Sequence, residues 1–474
     1  MKLNIIVSLF LINISLSFAS IENIMDASAS PKDCYDILTT LQKTQTHKIA
    51  FLPVPENYYT DNIKEPMNIL VYFPHKITEK TTIFINGGPS ASSHSSYHAF
   101  MKKDPEIAKN IIFFDQRGTG CSTAYPKYDS YKKMSALQNW GARSIAIDIE
   151  MIKNSMIGQE KKVNILGQSY GGLVALKYAS LFPESIRSLN VHGFSYMSDY
   201  SDFNNLRRYN EKIALDKFFK EYPEAKESMN YLINITPANL CMIDISRLKL
   251  CGKQIWDPIA KNIGFSSTWK NTAFNITSIH EALDLDYTQN TLDWYFNVYI
   301  KPEFENSQVR ILSLLDEMNF DPKENNLKTK NSEHGQELNN KTIQQIISAM
   351  DFMGESSGED FSTWLEKRGE DVNEVLISYS RFEEKLIVRD YTLSPSELLE
   401  KNNVSMDLLN FDKVENNIKK YGFKVNIYSG KADTYAPPII FEEMVERLKG
   451  YSTYTILESG HGGFLEDDIV WDSI

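Results

Sequence analysis

Ser169 lies in Gly167-Gln168-Ser169-Tyr170-Gly171-Gly172, between the apolar run Val163-Asn164-Ile165-Leu166 and a segment with apolar residues at helical spacing, Leu173 to Ala179. The pattern reads as strand, sharp turn and helix, with the serine on the turn and glycines where side chains would not fit. A serine hydroxyl is a weak nucleophile at neutral pH, so chemistry here requires a base and a group that orients it. His192, His280, His334 and His461 follow the serine. His461, in Ser459-Gly460-His461-Gly462-Gly463 directly after the last strand-like run, is the expected base, with His192 as its rival. Asp433, in the loop Ser429 to Pro438 after the penultimate strand, is expected to orient the imidazole, ahead of Asp412 and Asp407. Such a trio performs acyl transfer: alkoxide attack on a carbonyl, an acyl-enzyme, then hydrolysis by water activated at the same imidazole.

The developing oxyanion needs backbone donors. Ile83-Phe84-Ile85 reads as a buried strand leading into Asn86-Gly87-Gly88-Pro89-Ser90, where glycine lets the backbone approach a substrate. The expected donors are the N–H groups of Gly88 and of Tyr170, the residue after the nucleophile. Asp115-Gln116-Arg117-Gly118-Thr119-Gly120-Cys121-Ser122 follows the next strand, and Asp115 and Arg117 are expected to brace the oxyanion loop.

These residues need a rigid frame. Strand-like runs occur at His47 to Val54, Met67 to Phe73, Thr81 to Ile85 and Asn110 to Phe114, then at the elbow strand and Ser188 to Val191. Helical segments alternate with the later runs, which implies a mostly parallel α/β sheet. From about Phe194 to Gly422 the pattern turns helical, aromatic and charged, without strand alternation, as expected for an inserted helical cap. Pro322 to Thr342 within it is polar and loop-like. The sheet pattern returns at Lys424 to Tyr428, a helix from about Pro438 to Lys449, and Thr453 to Leu457. The expected organisation is therefore a core over 20–193, a cap over 194–422 and a second core segment over 423–474.

Lys2, the apolar run Leu3 to Leu16 and Ser17-Phe18-Ala19 read as a cleaved signal peptide over residues 1–19, which implies secretion or export to the periplasm and no stable membrane span afterwards. Export makes disulfides possible for the four cysteines, and Cys241 with Cys251 and Cys34 with Cys121 are the favoured pairs. No cysteine pair has metal-ligand spacing, so no metal is expected. The net charge of −12 over 474 residues argues against a nucleic-acid binder.

Taken together, the Asn86 loop, the Asp115 segment, the Ser169 elbow and the late Asp433 and His461 resemble the proline iminopeptidase family of α/β-hydrolase serine peptidases. That family combines His-Gly-Gly-Pro-Gly, Asp-Gln-Arg-Gly-x-Gly-x-Ser and Gly-x-Ser-x-Gly. The likeness spans roughly Thr46 to Gly193 and Lys424 to Phe464. It implies an α/β-hydrolase core with a helical cap, no cofactor, and release of residues from the free N-terminus of a peptide. It also implies acidic cap residues that hold the substrate ammonium, for which Asp351 and Glu355 are the candidates. Asn86 and Ser90 depart from the first and last residues of the family's loop, and Tyr170 stands where strict proline iminopeptidases often carry Trp. The elbow looks more like that of relatives releasing other residues or tripeptides. Two other functions use the same scaffold: carboxylic ester hydrolysis by the same trio, and non-catalytic binding.

Overall fold

Thr82-Ile83-Phe84-Ile85 and Ile111-Ile112-Phe113-Phe114 are apolar at nearly every position, so strands made of them must be covered on both faces; both are buried throughout. The computed structural model describes residues 46–59, 66–89, 91–125, 137–198, 203–235, 269–285 and 407–463. It also describes the short segments 241–243, 249–251, 310–311, 386–388 and 391–393 and residues 34, 38, 39, 351, 367 and 470. The expected signal peptide, Ser90, His334 and Glu355 lie outside the described residues.

His47–Pro55 (β1) and Pro66–Pro74 (β2) pair antiparallel, and β1 forms the sheet edge, where Pro53 and Pro55 are tolerated. Thr82–Ile85 (β3), Ile111–Phe114 (β4), Val163–Gln168 (β5) and Ile186–His192 (β6) follow. Three small strands, Cys241–Ile243 (β7), Lys249–Cys251 (β8) and Arg310–Ile311 (β9), form a separate antiparallel sheet, and Leu386–Val388 (β10) pairs with Tyr391–Leu393 (β11). These pieces lie in the stretch expected to be wholly helical; two or three residues are too few to register as alternation. Lys424–Gly430 (β12) and Ser452–Leu457 (β13) complete the main sheet, whose order is β1-β2-β4-β3-β5-β6-β12-β13. β2 meets β4 antiparallel, and from β4 onwards every neighbouring pair is parallel.

Strand alternation sends side chains into two cores. Ile83, Ile85, Ile112, Phe114, Ile165, Leu189, Val191 and Ile427 belong to one, and Phe84, Ile111, Phe113, Leu166 and Tyr428 to the other. Ser93–Lys103 (α1) supplies Tyr97 and Phe100 to the second core, and Pro105–Ala108 (α2) supplies Ala108. Ala142–Met156 (α3) covers the first with Ala142, Ile145, Ala146, Ile149 and Ile152, an apolar stripe at helical spacing. Beside it packs Tyr170–Leu181 (α4), buried nearly all round.

Phe203–Glu221 (α5), Pro223–Ile235 (α6) and Trp269–Leu285 (α7) are the described cap helices, and α6 packs on α7. Phe411–Tyr421 (α8) falls inside the span expected for the cap, yet its stripe Phe411, Val414 and Ile418 joins the first core against α4. Asn410 caps its start and Gly422, at φ 66°, ends it. The expected helix after β12 is a 3₁₀ turn, Pro438–Phe441, followed by Glu442–Arg447 (α9). Cys34 and Cys121 form a disulfide, and the β7–β8 register sets Cys241 opposite Cys251. Among the described residues no helix is long and apolar enough to cross a membrane, and no cluster of metal-ligating side chains occurs.

Candidate active site

β5 ends at Gln168 and α4 begins at Tyr170, which leaves Ser169 as the single turning residue. It has φ 55° and ψ −124°, the only positive φ among the described non-glycine residues. Held backbone strain at one residue is a feature of functional sites, and here the neighbours enforce it. Ser169 N–H donates to the His192 carbonyl at 2.8 Å, and its own carbonyl accepts from Gly172 N–H at 2.7 Å. The serine occupies the N-cap position without making a capping bond, so its hydroxyl is not committed to the helix. Gly171 is required by packing: a Cβ there would lie 2.1 Å from the Ile85 carbonyl oxygen.

Asp433 is fully buried, and both of its carboxylate oxygens are occupied. Oδ1 accepts the N–H groups of Tyr435 and Ala436, each at 2.8 Å, and Oδ2 lies 2.8 Å from His461 Nδ1. The two loops are laced together by Ala432 N–H to the Ser459 carbonyl and Lys431 N–H to the Leu457 carbonyl. Asn210, from α5, donates to the Asp433 carbonyl at 2.6 Å and so ties the cap to this loop. The His461 loop meets the elbow through Gln168 Nε2, 3.4 Å from the His461 carbonyl. Tyr435 packs on the imidazole with ring centroids 5.0 Å apart. Asp412 pairs with Arg447 on the surface and Asp407 binds Lys177 of α4, so neither addresses His461.

His192 lies beneath this pair at the end of β6, fully buried. Burial lowers its pKa to about 3, against the pull of Asp433 and with the push of His461. A ring that neutral cannot gain a proton near pH 7, and its carbonyl serves the elbow instead. His280 belongs to the cap, where it contacts Ser228 Oγ at 2.9 Å and packs on Tyr231.

Gly87 of the Asn86 loop lies directly against the elbow; a Cβ on it would be 2.5 Å from Gln168 Oε1 and 3.0 Å from Ser169 Cβ. The Gly88–Pro89 peptide bond is cis. Gln116 Nε2 donates to the Asn86 carbonyl at 2.7 Å. Asn86 Nδ2 donates to the carbonyls of Ser92 and Ala91, and its Oδ1 accepts from Gly87 N–H and Ser96 Oγ. Asp115 accepts from Ser93 N–H at 2.7 Å and Ser92 Oγ at 3.3 Å, just beyond the loop. Burial pushes its carboxyl pKa up, against the hydrogen bonds that favour the anion.

Arg117 has a different place from the one expected. Its guanidinium forms a fork on Asp148 of α3, Nε to Oδ2 at 2.8 Å and Nη2 to Oδ1 at 2.6 Å, and donates to the carbonyls of Pro55, Glu56 and Asn139. Tyr58 donates to Asp148 at 2.6 Å and lies under the guanidinium. Arg117 therefore locks β1 to α3, and Gln116 is the side chain that reaches the Asn86 loop. Both residues lie in the turn beyond β4, which ends at Phe114, so their directions follow from the turn and from long-range partners.

Asp351 is buried against the elbow helix. Its Oδ2 accepts Tyr170 Oη at 2.5 Å and Ala142 N–H at 2.8 Å, so it also caps the start of α3. Burial raises its pKa to about 6, opposed by those two hydrogen bonds and by Lys177.

The α/β-hydrolase fold family model matches residues 81–227. A proline iminopeptidase of Aeromonas sobria is 29% identical over 160 residues, covering 32% of this chain and 37% of that one. One from Aspergillus aculeatus is 25% identical over 122 residues, 23% and 27% of the two chains, and one from Clostridium botulinum is 29% identical over 111 residues, 23% and 33%. The aligned stretch spans roughly a third of the length of these curated relatives. The Asn86 loop, the Asp115 segment and the Ser169 elbow all fall inside the residues matched by the family model, so the chain has an α/β-hydrolase fold and over this stretch is similar to proline iminopeptidases.

Proposed function

We propose that this protein is an exported serine hydrolase, and within that class an aminopeptidase that cleaves peptides from a free N-terminus. The observation that carries the reading is the Asp433–His461 pair at 2.8 Å, with the second Asp433 oxygen saturated by backbone. That saturation fixes the carboxylate, which in turn fixes the imidazole with Nδ1 as the donor and leaves Nε2 to take a proton. His461 then deprotonates Ser169, the alkoxide attacks the scissile carbonyl, and the N–H groups of Gly88 and Tyr170 receive the oxyanion. His461 returns the proton to the leaving amine, and a water activated by the same ring releases the acyl group. The chemistry needs no cofactor. The Cys34–Cys121 disulfide supports an oxidising compartment.

Asp351 supports the requirement for a free amine. Oδ2 is engaged by Tyr170 and Ala142, whereas Oδ1 has no hydrogen bond among the described residues. An ammonium group held there would pair with a carboxylate beside the residue that follows the nucleophile, and would favour its ionised form. The test compares an aminoacyl amide with its N-acetylated form in wild type and Asp351→Asn. The free amine is expected to be preferred by wild type, and Asp351→Asn is expected to raise KM for it alone; equal cleavage of both forms by wild type rejects the aminopeptidase reading.

A further inference from the structure

We propose that the Cys34–Cys121 disulfide is a positioning element for the oxyanion loop, acting through Asp115 and Gln116. In what it says of turnover, this rests on the serine-hydrolase reading above. The segment Asp115–Ser122 is wound around the Asp115 carboxylate. Oδ2 accepts Cys121 N–H at 2.9 Å and Tyr72 Oη at 3.4 Å, while Oδ1 accepts Ser93 N–H at 2.7 Å. The winding is tight enough that a Cβ on Gly120 would lie 2.1 Å from Oδ2. Asp115 thus joins the cysteine end of its own segment to the residues just after the oxyanion loop. Gln116, the next residue, holds the front of that loop through the Asn86 carbonyl at 2.7 Å. Asn86 closes the loop on itself, and Gly87 abuts Ser169.

Cys121 N–H is itself part of this network, and the disulfide fastens Cys121 to Cys34, 87 residues earlier in the chain. Both cysteines are buried in the second core. Ser122 and Thr123 anchor the far end of the segment to β2 through Leu70 N–H, Asn68 N–H and the Asn68 carbonyl. Ser122 Oγ also donates to the Asp115 carbonyl at 2.6 Å, and the disulfide adds a second anchor at Cys121, whose N–H meets the Asp115 carboxylate. Without it the Asp115 carboxylate keeps Ser92, Ser93 and Tyr72, and Cys121 N–H is positioned by the Ser122 anchor alone. The register of Gln116 on Asn86 then loosens, and with it the Gly87–Gly88 amides.

The test is the Cys34→Ala/Cys121→Ala double variant beside Gln116→Ala, both studied below their unfolding temperatures. Amide exchange at Asn86, Gly87 and Gly88 should quicken in both variants. The rate of Ser169 modification by a fluorophosphonate, and kcat, should fall roughly tenfold or more with KM little changed, as expected when a reacting group loses its fixed placement. A cross-link that only adds stability would lower the melting temperature and leave exchange in this loop and the kcat-to-KM split as in wild type, which would overturn the proposal. Exchange reads the loop whether or not the protein turns over. A wild type inert to fluorophosphonate would reject the hydrolase reading, and the exchange result would still decide the role of the disulfide.

Discussion

Replacing Asp433 by Asn isolates the position of one proton. The side chain sits between two backbone donors, Tyr435 and Ala436 N–H, on Oδ1 and His461 Nδ1 on Oδ2. An asparagine has one oxygen and one amide group, and its oxygen must face the two N–H groups, because turning the amide toward them would set donors against donors. The amide then faces Nδ1, which becomes an acceptor, and the ring proton moves to Nε2. Nε2 can no longer take the proton of Ser169. The expected loss in kcat is about 10⁴-fold, or about 5 kcal/mol of transition-state stabilisation. The fold should persist, since every backbone donor keeps its acceptor, and unfolding free energy should change by no more than about 1–3 kcal/mol. Steady-state hydrolysis of an aminoacyl amide, with circular dichroism and urea unfolding as controls, provides the assay. A folded variant that keeps kcat within about tenfold of wild type would refute the assignment of Asp433 as the orienting group.

Asp148→Asn should cost roughly 3–5 kcal/mol in urea unfolding, because the buried Arg117 guanidinium would lose its charge partner; a loss below about 1 kcal/mol would contradict the lock between β1 and α3. His192 has a folded-state pKa of about 3, below its ordinary value near 6.5, so its contribution to stability is complete above pH 6.5 and declines as pH falls toward 3. His192→Gln should therefore flatten the acid side of the stability profile, by at most about 1.4 kcal/mol per pH unit, whereas an unchanged slope would show that the ring is protonated in the folded state.

Most of the frame was legible because it rests on local pattern. The strands His47–Pro55, Pro66–Pro74, Thr82–Ile85 and Ile111–Phe114 each fall within a residue or two of an apolar run, and their burial follows from that composition. Ser169, Asp433 and His461 were singled out from their positions at strand ends, and the structure sets Asp433 2.8 Å from His461. What was hidden depends on direction and long-range partners. Arg117 and Gln116 are adjacent in the turn after β4 but have opposite partners, the amide on the Asn86 carbonyl and the guanidinium on Asp148. Asp148 itself, an acidic residue among the isoleucines of α3, was the available signal for a buried ion pair. The boundary of the cap was blurred at α8, because its strong stripe cannot say which surface it will cover. Asp351 could be placed only once the fold set it beside Tyr170, 181 residues away.

Reaction of the whole protein with a fluorophosphonate, read by intact mass and peptide mapping, tests the central claim most directly. The account predicts a single adduct on Ser169, absent from Ser169→Ala and strongly slowed in His461→Ala. A folded wild type that stays unmodified, or that carries the adduct on another residue, would contradict it.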